Sequence, residues 1–389
     1  MNVNTSLFIH NGRIKTMKGQ EFIGSILVEG TRIKAMGEEL VAPEGAKVIE
    51  AEGKLVLPGF IDAHCHVGLG EEIYQHEGDD LNEMTEPVTP ELRAIDGINP
   101  EDEGFRDARL GGVTTVFSTP GSGNVIGGTG VVLKTAGKVV DKMVLREPAG
   151  LKVAFGENPK AVYGAEQKKM PMTRMATASL LRQALVDAET YLEKLEQGIE
   201  DPEKFPERDL GMESMIRVIK REIPLRAHAH RADDIMTAIR IAQEFNVDLI
   251  IEHCTEGHKI ADVLAEYGYP AVVGPVLVNR AKVELKDKSF ETPGILTRAG
   301  VKVAIITDHS VTPIEQLPLC AALVARAGMD EEEALKAITI NPAEILGVDD
   351  RVGSLEVGKD ADIVLWSEHP FVLKARPETV IINGQVITD

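Results

Sequence analysis

Six residues of metal-ligand type, His64, His66, His228, His230, His253 and Asp308, stand at the ends of short runs rich in β-formers. The runs read "GFIDAHCH", "LRAHAH", "DLIIEHC" and "KVAIITD". Residues i and i+2 of a strand point the same way, so His64 and His66 can share one ion while Cys65 faces the other side. Neutral imidazole suits zinc or a similar divalent ion, and a carboxylate can complete the shell. Such an ion lowers the pKa of its water toward roughly 7 and polarises a carbonyl, so hydrolysis by activated hydroxide is the chemistry to expect. Any one of these histidines alone reads as an ordinary packed residue. Four strand ends carrying ligand types point to a single site.

Bringing them together requires a parallel barrel. Between residues 57 and 349, apolar β-rich runs such as "GVTTVFS", "LKVAFG" and "AVVGPVL" alternate with amphipathic segments such as "ADDIMTAIRIAQEFNV". Nearly continuous apolar runs are the mark of parallel strands buried on both faces. Six to eight βα units in this length suit an α/β (β/α)8 TIM barrel, whose strand C-termini all emerge on one face. No G-x-G-x-x-G follows a first strand to favour an open sheet. Residues 1–56 and 350–389 show short alternating strands with Asn-Gly and Glu-Gly turns, and are expected to form a small composite β-sandwich. An acidic stretch from Glu71 to Gly104 is a candidate lid.

Composition narrows the function classes. With 62 acidic against 42 basic residues, the net charge of −20 repels phosphate backbones and anionic lipid, so nucleic acid and membrane are excluded as expected partners. The partner to expect is a small-molecule substrate, and the sequence is compatible with a homo-oligomer. The first residues lack a basic stretch followed by an apolar core and cleavage site, and no apolar run is long enough to span a bilayer, so a cytoplasmic location is expected. Cys65, Cys254 and Cys320 are few, odd in number and far apart, which reads as buried thiols in a reducing compartment. "STPGSGNVIGGTG" lacks Gly-Lys-Ser/Thr, so close backbone approach to the site is a better reading than a phosphate cradle.

The segments "PGFIDAHCHV", "HAHRADDI", "IIEHCTEG" and "IITDHSVTP", in this order, resemble the metal-dependent amidohydrolase superfamily and its imidazolonepropionase-like group. "KDADIVLW" and "VIINGQVI" resemble that superfamily's returning sandwich strands. The resemblance implies one or two divalent ions, most simply Zn2+, with His64 and His66 on the first, His228 and His253 on the second, and Asp308 as ligand and proton shuttle. It also implies a bridging residue from the fourth barrel strand, a carboxylated lysine or a glutamate. Lys152 stands early in that strand, so Glu157 is the expected bridge, with Lys160 as the second choice. His230 is an alternative to His228 as ligand, or a catalytic group over the substrate.

Related deaminases carry a carboxylate three residues after the fifth-strand histidine, where this chain has Arg231. Imidazolonepropionases share that carboxylate, so its absence argues against heterocycle deamination and against true imidazolonepropionase activity. Arg231, Lys160 and Tyr163, with His309 nearby, would suit a substrate bearing a carboxylate. The expected reaction is hydrolysis of a C–N amide bond in an N-acyl amino acid, dipeptide or cyclic amide. A deaminase or imidazolonepropionase-type hydrolase is the alternative, and a non-catalytic homologue the second.

Overall fold

Residues 6–73 and 76–388 are described by a computed structural model. Residues 1–5 and 389 of the expected sandwich, and Tyr74 and Gln75 of the acidic stretch, lie outside the described residues.

The chain opens with β1 (Leu7–Lys15), β2 (Glu21–Glu29), β3 (Arg32–Gly37), β4 (Lys47–Glu50) and β5 (Leu55–Pro58). It returns to the same sheet at its far end with β16 (Ile363–Trp366), β17 (Pro377–Ile382) and β18 (Gln385–Val386). β5 pairs in parallel with β1 and antiparallel with β16, so strands from both chain ends lie side by side in one eight-stranded sheet. Its buried face is apolar, including Ile9, Ile14, Ile26, Val56, Ile363 and Ile381.

One residue separates this sheet from the barrel. Gly59 links β5 to β6 (Phe60–Cys65), and a Cβ there would meet Thr114 Oγ1 at 2.1 Å. Only glycine lets the two chain segments pass this closely. β6 pairs in parallel with β7 (Val113–Ser118). The far wall is a parallel run of β11 (Leu151–Ala154), β12 (Leu225–Ala229), β13 (Leu249–His253), β14 (Ala271–Val273) and β15 (Val303–Ile305).

The third stave departs from a regular (β/α)8 pattern. β8 (Ile126–Thr129) and β9 (Val131–Lys134) run antiparallel to their neighbours, β9 on β7 and β8 on β11, and β10 (Val144–Arg146) lies outside β9. The glycine-rich stretch therefore turns back across the barrel mouth instead of entering a helix. The circuit ends in single hydrogen bonds rather than a ladder: Asp308 N–H donates to His64 O at 3.3 Å and His66 N–H to His309 O at 2.9 Å. These two bonds join the last stave to the first at the level where the ligand-type residues lie.

The central strands are buried throughout, as their apolar runs require. The helix Ala232–Glu244 packs Ile235, Ala238, Ile239 and Ala242 inward, and Glu256 Oε2 accepts the N–H of Ala232 at its start. Among the described residues no helix is long and apolar enough to cross a membrane. All three cysteines are buried and unpaired, and burial pushes the Cys254 and Cys320 thiols up to about 12.

Candidate active site

Parallel register sets the level of each group. His228 pairs with Ala154 on one side and Glu252 on the other, while Ala229 pairs with His253. Five histidines and Asp308 consequently converge at one end of the barrel. His64, His253 and Asp308 offer ligand atoms within 4.8 Å of one another, as do His228, His230 and His253. Asp308 Oδ1 lies 3.2 Å from both His64 Nε2 and His66 Nε2.

The far nitrogens of these rings are anchored. His66 Nδ1 donates to Thr119 O at 2.7 Å and His253 Nδ1 to Gly274 O at 2.9 Å, which leaves each Nε2 lone pair facing the centre. His228 Nδ1 lies 2.8 Å from Ser122 Oγ and His230 Nδ1 2.8 Å from Thr255 Oγ1. The Nε2 atoms of His228 and His253 are buried and without a hydrogen-bond partner among the described residues. Inward lone pairs beside a carboxylate are a donor set that fits a divalent cation. His253 and Asp308 also hold positive φ, 66° and 55°, a conformation that costs about 1–3 kcal/mol each and gathers at functional sites.

A charged column underlies the site. Glu252, fully buried, accepts from Arg226 Nε through Oε1 at 2.7 Å. Its Oε2 is 3.1 Å from Lys152 Nζ and 3.0 Å from His64 Nδ1, both ion contacts outside hydrogen-bond geometry. Arg226 also donates to Ala63 O and lies 4.1 Å over the Phe117 ring. Burial works to raise the Glu252 pKa, but His64, Lys152 and Arg226 together outweigh it and hold the carboxyl well below its usual range. Desolvation lowers the Lys152 amine.

Lys152 overturns the expectation that it lies too early to reach the site. It sits two residues below Ala154, about 6.6 Å along the strand, and its extended side chain carries Nζ to 3.4 Å from His64 Nε2. The expected bridge, Glu157, lies elsewhere. The chain turns at Gly156, with φ +80°, and Glu157 begins a helical turn where its N–H donates to Glu284 Oε2. Its carboxylate belongs to neither group of converging ligands.

The expected substrate contacts are occupied differently. Arg231 forms a two-bond pair with Asp233 on the surface. Tyr163 is buried, its hydroxyl 2.7 Å from Asn124 Oδ1 and 2.8 Å from Glu86 O, bracing the loop rather than facing the centre. His309 accepts from Ile314 N–H and sits 3.2 Å from Glu72 Oε1. Lys160 is partly exposed and makes no bond to the histidine groups among the described residues. His230 joins His228 and His253, so both fifth-strand histidines reach the same centre.

The Amidohydrolase family model matches residues 55–387. This chain belongs to the amidohydrolase family. The solved structure of an amidohydrolase from Thermotoga maritima MSB8 is 46% identical, with a TM-score of 0.95, covering 98% of this chain and 99% of that one. Amidohydrolase tasK of Hapsidospora irregularis is 28% identical across 93% of this chain, which spans 40% of the length of tasK. An imidazolonepropionase of Pseudomonas putida (strain GB-1) is 27% identical over 90% of both chains.

This amidohydrolase is thus an enzyme acting on carbon–nitrogen bonds. Arg226, Glu252 and Lys152 were not read as a unit from its sequence, yet each is a charge inside an otherwise apolar strand run. That was the available signal, because a buried charge must find a partner on a neighbouring strand. Glu284, beside His228 and His230, carried no such signal.

Its metal-free form should lose stability in acid. Burial holds His228 and His230 well below the usual imidazole pKa and His253 at about 3, and lowers His66 as well. The unfolded chain therefore binds more protons below pH 6.5, and the stability these rings carry above that pH drains away toward about 3. His64, raised, and Asp62 and Glu284, raised by burial to about 6 and about 7, act in the opposite sense. The depressed histidines prevail, so the melting temperature of chelator-treated protein should fall from pH 7 to pH 4.5. A rise over that interval would contradict the balance.

Proposed function

We propose that this amidohydrolase hydrolyses the C–N amide bond of a small molecule, an N-acyl amino acid, dipeptide or cyclic amide, using one or two divalent ions, most simply Zn2+. The observation that carries this reading is the convergence of inward-facing Nε2 atoms on a carboxylate, Asp308, that burial would raise but that His253, His64 and His66 hold well below its usual range. A bound ion would bring the pKa of water toward roughly 7 and polarise the scissile carbonyl.

The protein's own residues do the rest. His64, His66 and Asp308 would hold the first ion, with His253 within reach. Lys152 rather than Glu157 would supply the bridge, since its Nζ lies 3.4 Å from His64 Nε2 and burial lowers its amine, which helps it lose the proton that carboxylation by CO2 releases. Asp308, ionised at neutral pH, accepts a proton from the attacking water and returns it to the leaving nitrogen. Its side chain, at 14% exposure, is more open than those of His64 and His66, which gives it access to substrate.

The test is a screen of N-acyl amino acids, dipeptides and cyclic amides with zinc-replete protein, ammonia release being followed in parallel. We expect turnover of at least one amide class, its loss on chelation, and its return with Zn2+. Less than one equivalent of divalent metal after growth with zinc would overturn the reading. The Pseudomonas relative named imidazolonepropionase, matched over 90% of both chains, favours the cyclic amides as the second reading within this class. Ammonia from a heterocycle would instead indicate a deaminase.

A further inference from the structure

Glu284 arrives from outside the strand-end pattern, on a short turn, Val283–Leu285, in the segment after β14. Its side chain is 2% exposed. Oε2 accepts the Glu157 N–H, whereas Oε1 has no hydrogen-bond partner among the described residues. An unpartnered buried carboxylate oxygen is costly unless it takes up a proton or a cation meets it.

The nearest atoms identify where that cation would lie. Glu284 Oε1 is 3.7 Å from His230 Nε2 and 4.0 Å from His228 Nε2. Both distances are too long for hydrogen bonds. Donor atoms on one tetrahedral ion, at bond lengths of about 2.0–2.2 Å, stand roughly 3.4 Å apart, close to what is seen. The space for the carboxylate is built in: a Cβ on Gly156 would meet Glu284 Oε2 at 2.7 Å. Of the charged neighbours, Asp234 is held by Arg174, Lys282 donates to the neutral Asn158 amide, and Glu157 meets Glu284 through its backbone N–H.

Counting lone pairs sharpens the assignment. His253 lies within reach of both ligand groups, but its one free Nε2 lone pair can serve only one ion. If it joins His64 and Asp308, the other group is left with two histidines. We infer that Glu284 is the third protein ligand of a second divalent-cation site, with His228 and His230, and the fourth place is the one the Lys152 bridge would take. Two histidines and one glutamate are a donor set that zinc uses.

This inference rests on the metal-dependent reading above. Its test is zinc affinity, measured by competition with a chromophoric chelator, together with metal counts after dialysis and the cobalt(II) absorption spectrum. Wild type, Glu284→Gln and Glu284→Asp are compared, with circular dichroism as the folding control. The shorter Glu284→Asp gives the same readout should the glutamine variant fail to fold. We expect two equivalents in wild type, and in the variants an unchanged tighter site, a second site weakened roughly 10-fold or more, and an altered cobalt spectrum. Two equivalents of wild-type affinity in both variants would overturn the inference, as would a single wild-type equivalent insensitive to them. A wild type that binds no divalent metal would remove the metal-dependent reading as well.

Discussion

Asp308→Asn should lower kcat by about 10²–10⁴-fold, the range of a lost general acid–base, while the chain still folds. Asparagine has the same shape and retains an oxygen toward His64 and His66, which lie 3.2 Å from Asp308 Oδ1. It cannot take up a proton at neutral pH. The barrier rises by about 2.7–5.4 kcal/mol, at 1.36 kcal/mol per decade. The measurement is kcat on an amide found in the screen, with metal content and circular dichroism on the same samples. Activity close to wild type at full metal occupancy would remove Asp308 from proton transfer.

Glu252→Gln should be the most destabilising single substitution around the site. It leaves Arg226, fully buried and unable to deprotonate, without its counter-charge. Breaking a buried pair in this way costs about 3–5 kcal/mol, read from the urea midpoint. The double variant Arg226→Met/Glu252→Gln should recover part of that loss, because the stranded charge is gone; an additive double variant would show that the two do not interact. Metal affinity should also fall by about 10–100-fold, since Glu252 orients His64 from behind.

The barrel site was largely legible from the chain. Alternation and apolar runs indicate β6, β12 and β13, and the i, i+2 spacing puts His64 and His66 on one face, whereas His230 stands in the sequence only as an alternative to His228 and the fold brings both to one centre. Position in the chain does not by itself give reach. Lys152 stands low in its strand, but a lysine side chain spans about two residues of strand rise. Glu157 adjoins the strand end, yet Gly156 turns it away. Arg231 has the charge to meet a substrate carboxylate, but Asp233, two residues on, pairs with it.

What the sequence by itself determined is the ligand inventory and the level at which it sits, because strand periodicity and parallel direction are local properties. What only the tertiary structure decided is which charges meet. Glu252 binds Arg226, Lys152 and His64 from three other strands. Glu284 reaches His228 and His230 from a turn more than fifty residues away in sequence. No periodicity encodes such contacts: they depend on stave order, on an antiparallel third stave that brings Ser122 to His228, and on side-chain length. Low dielectric in the interior then makes those pairings decisive, because a charge placed there must be answered by whichever group the fold brings near it.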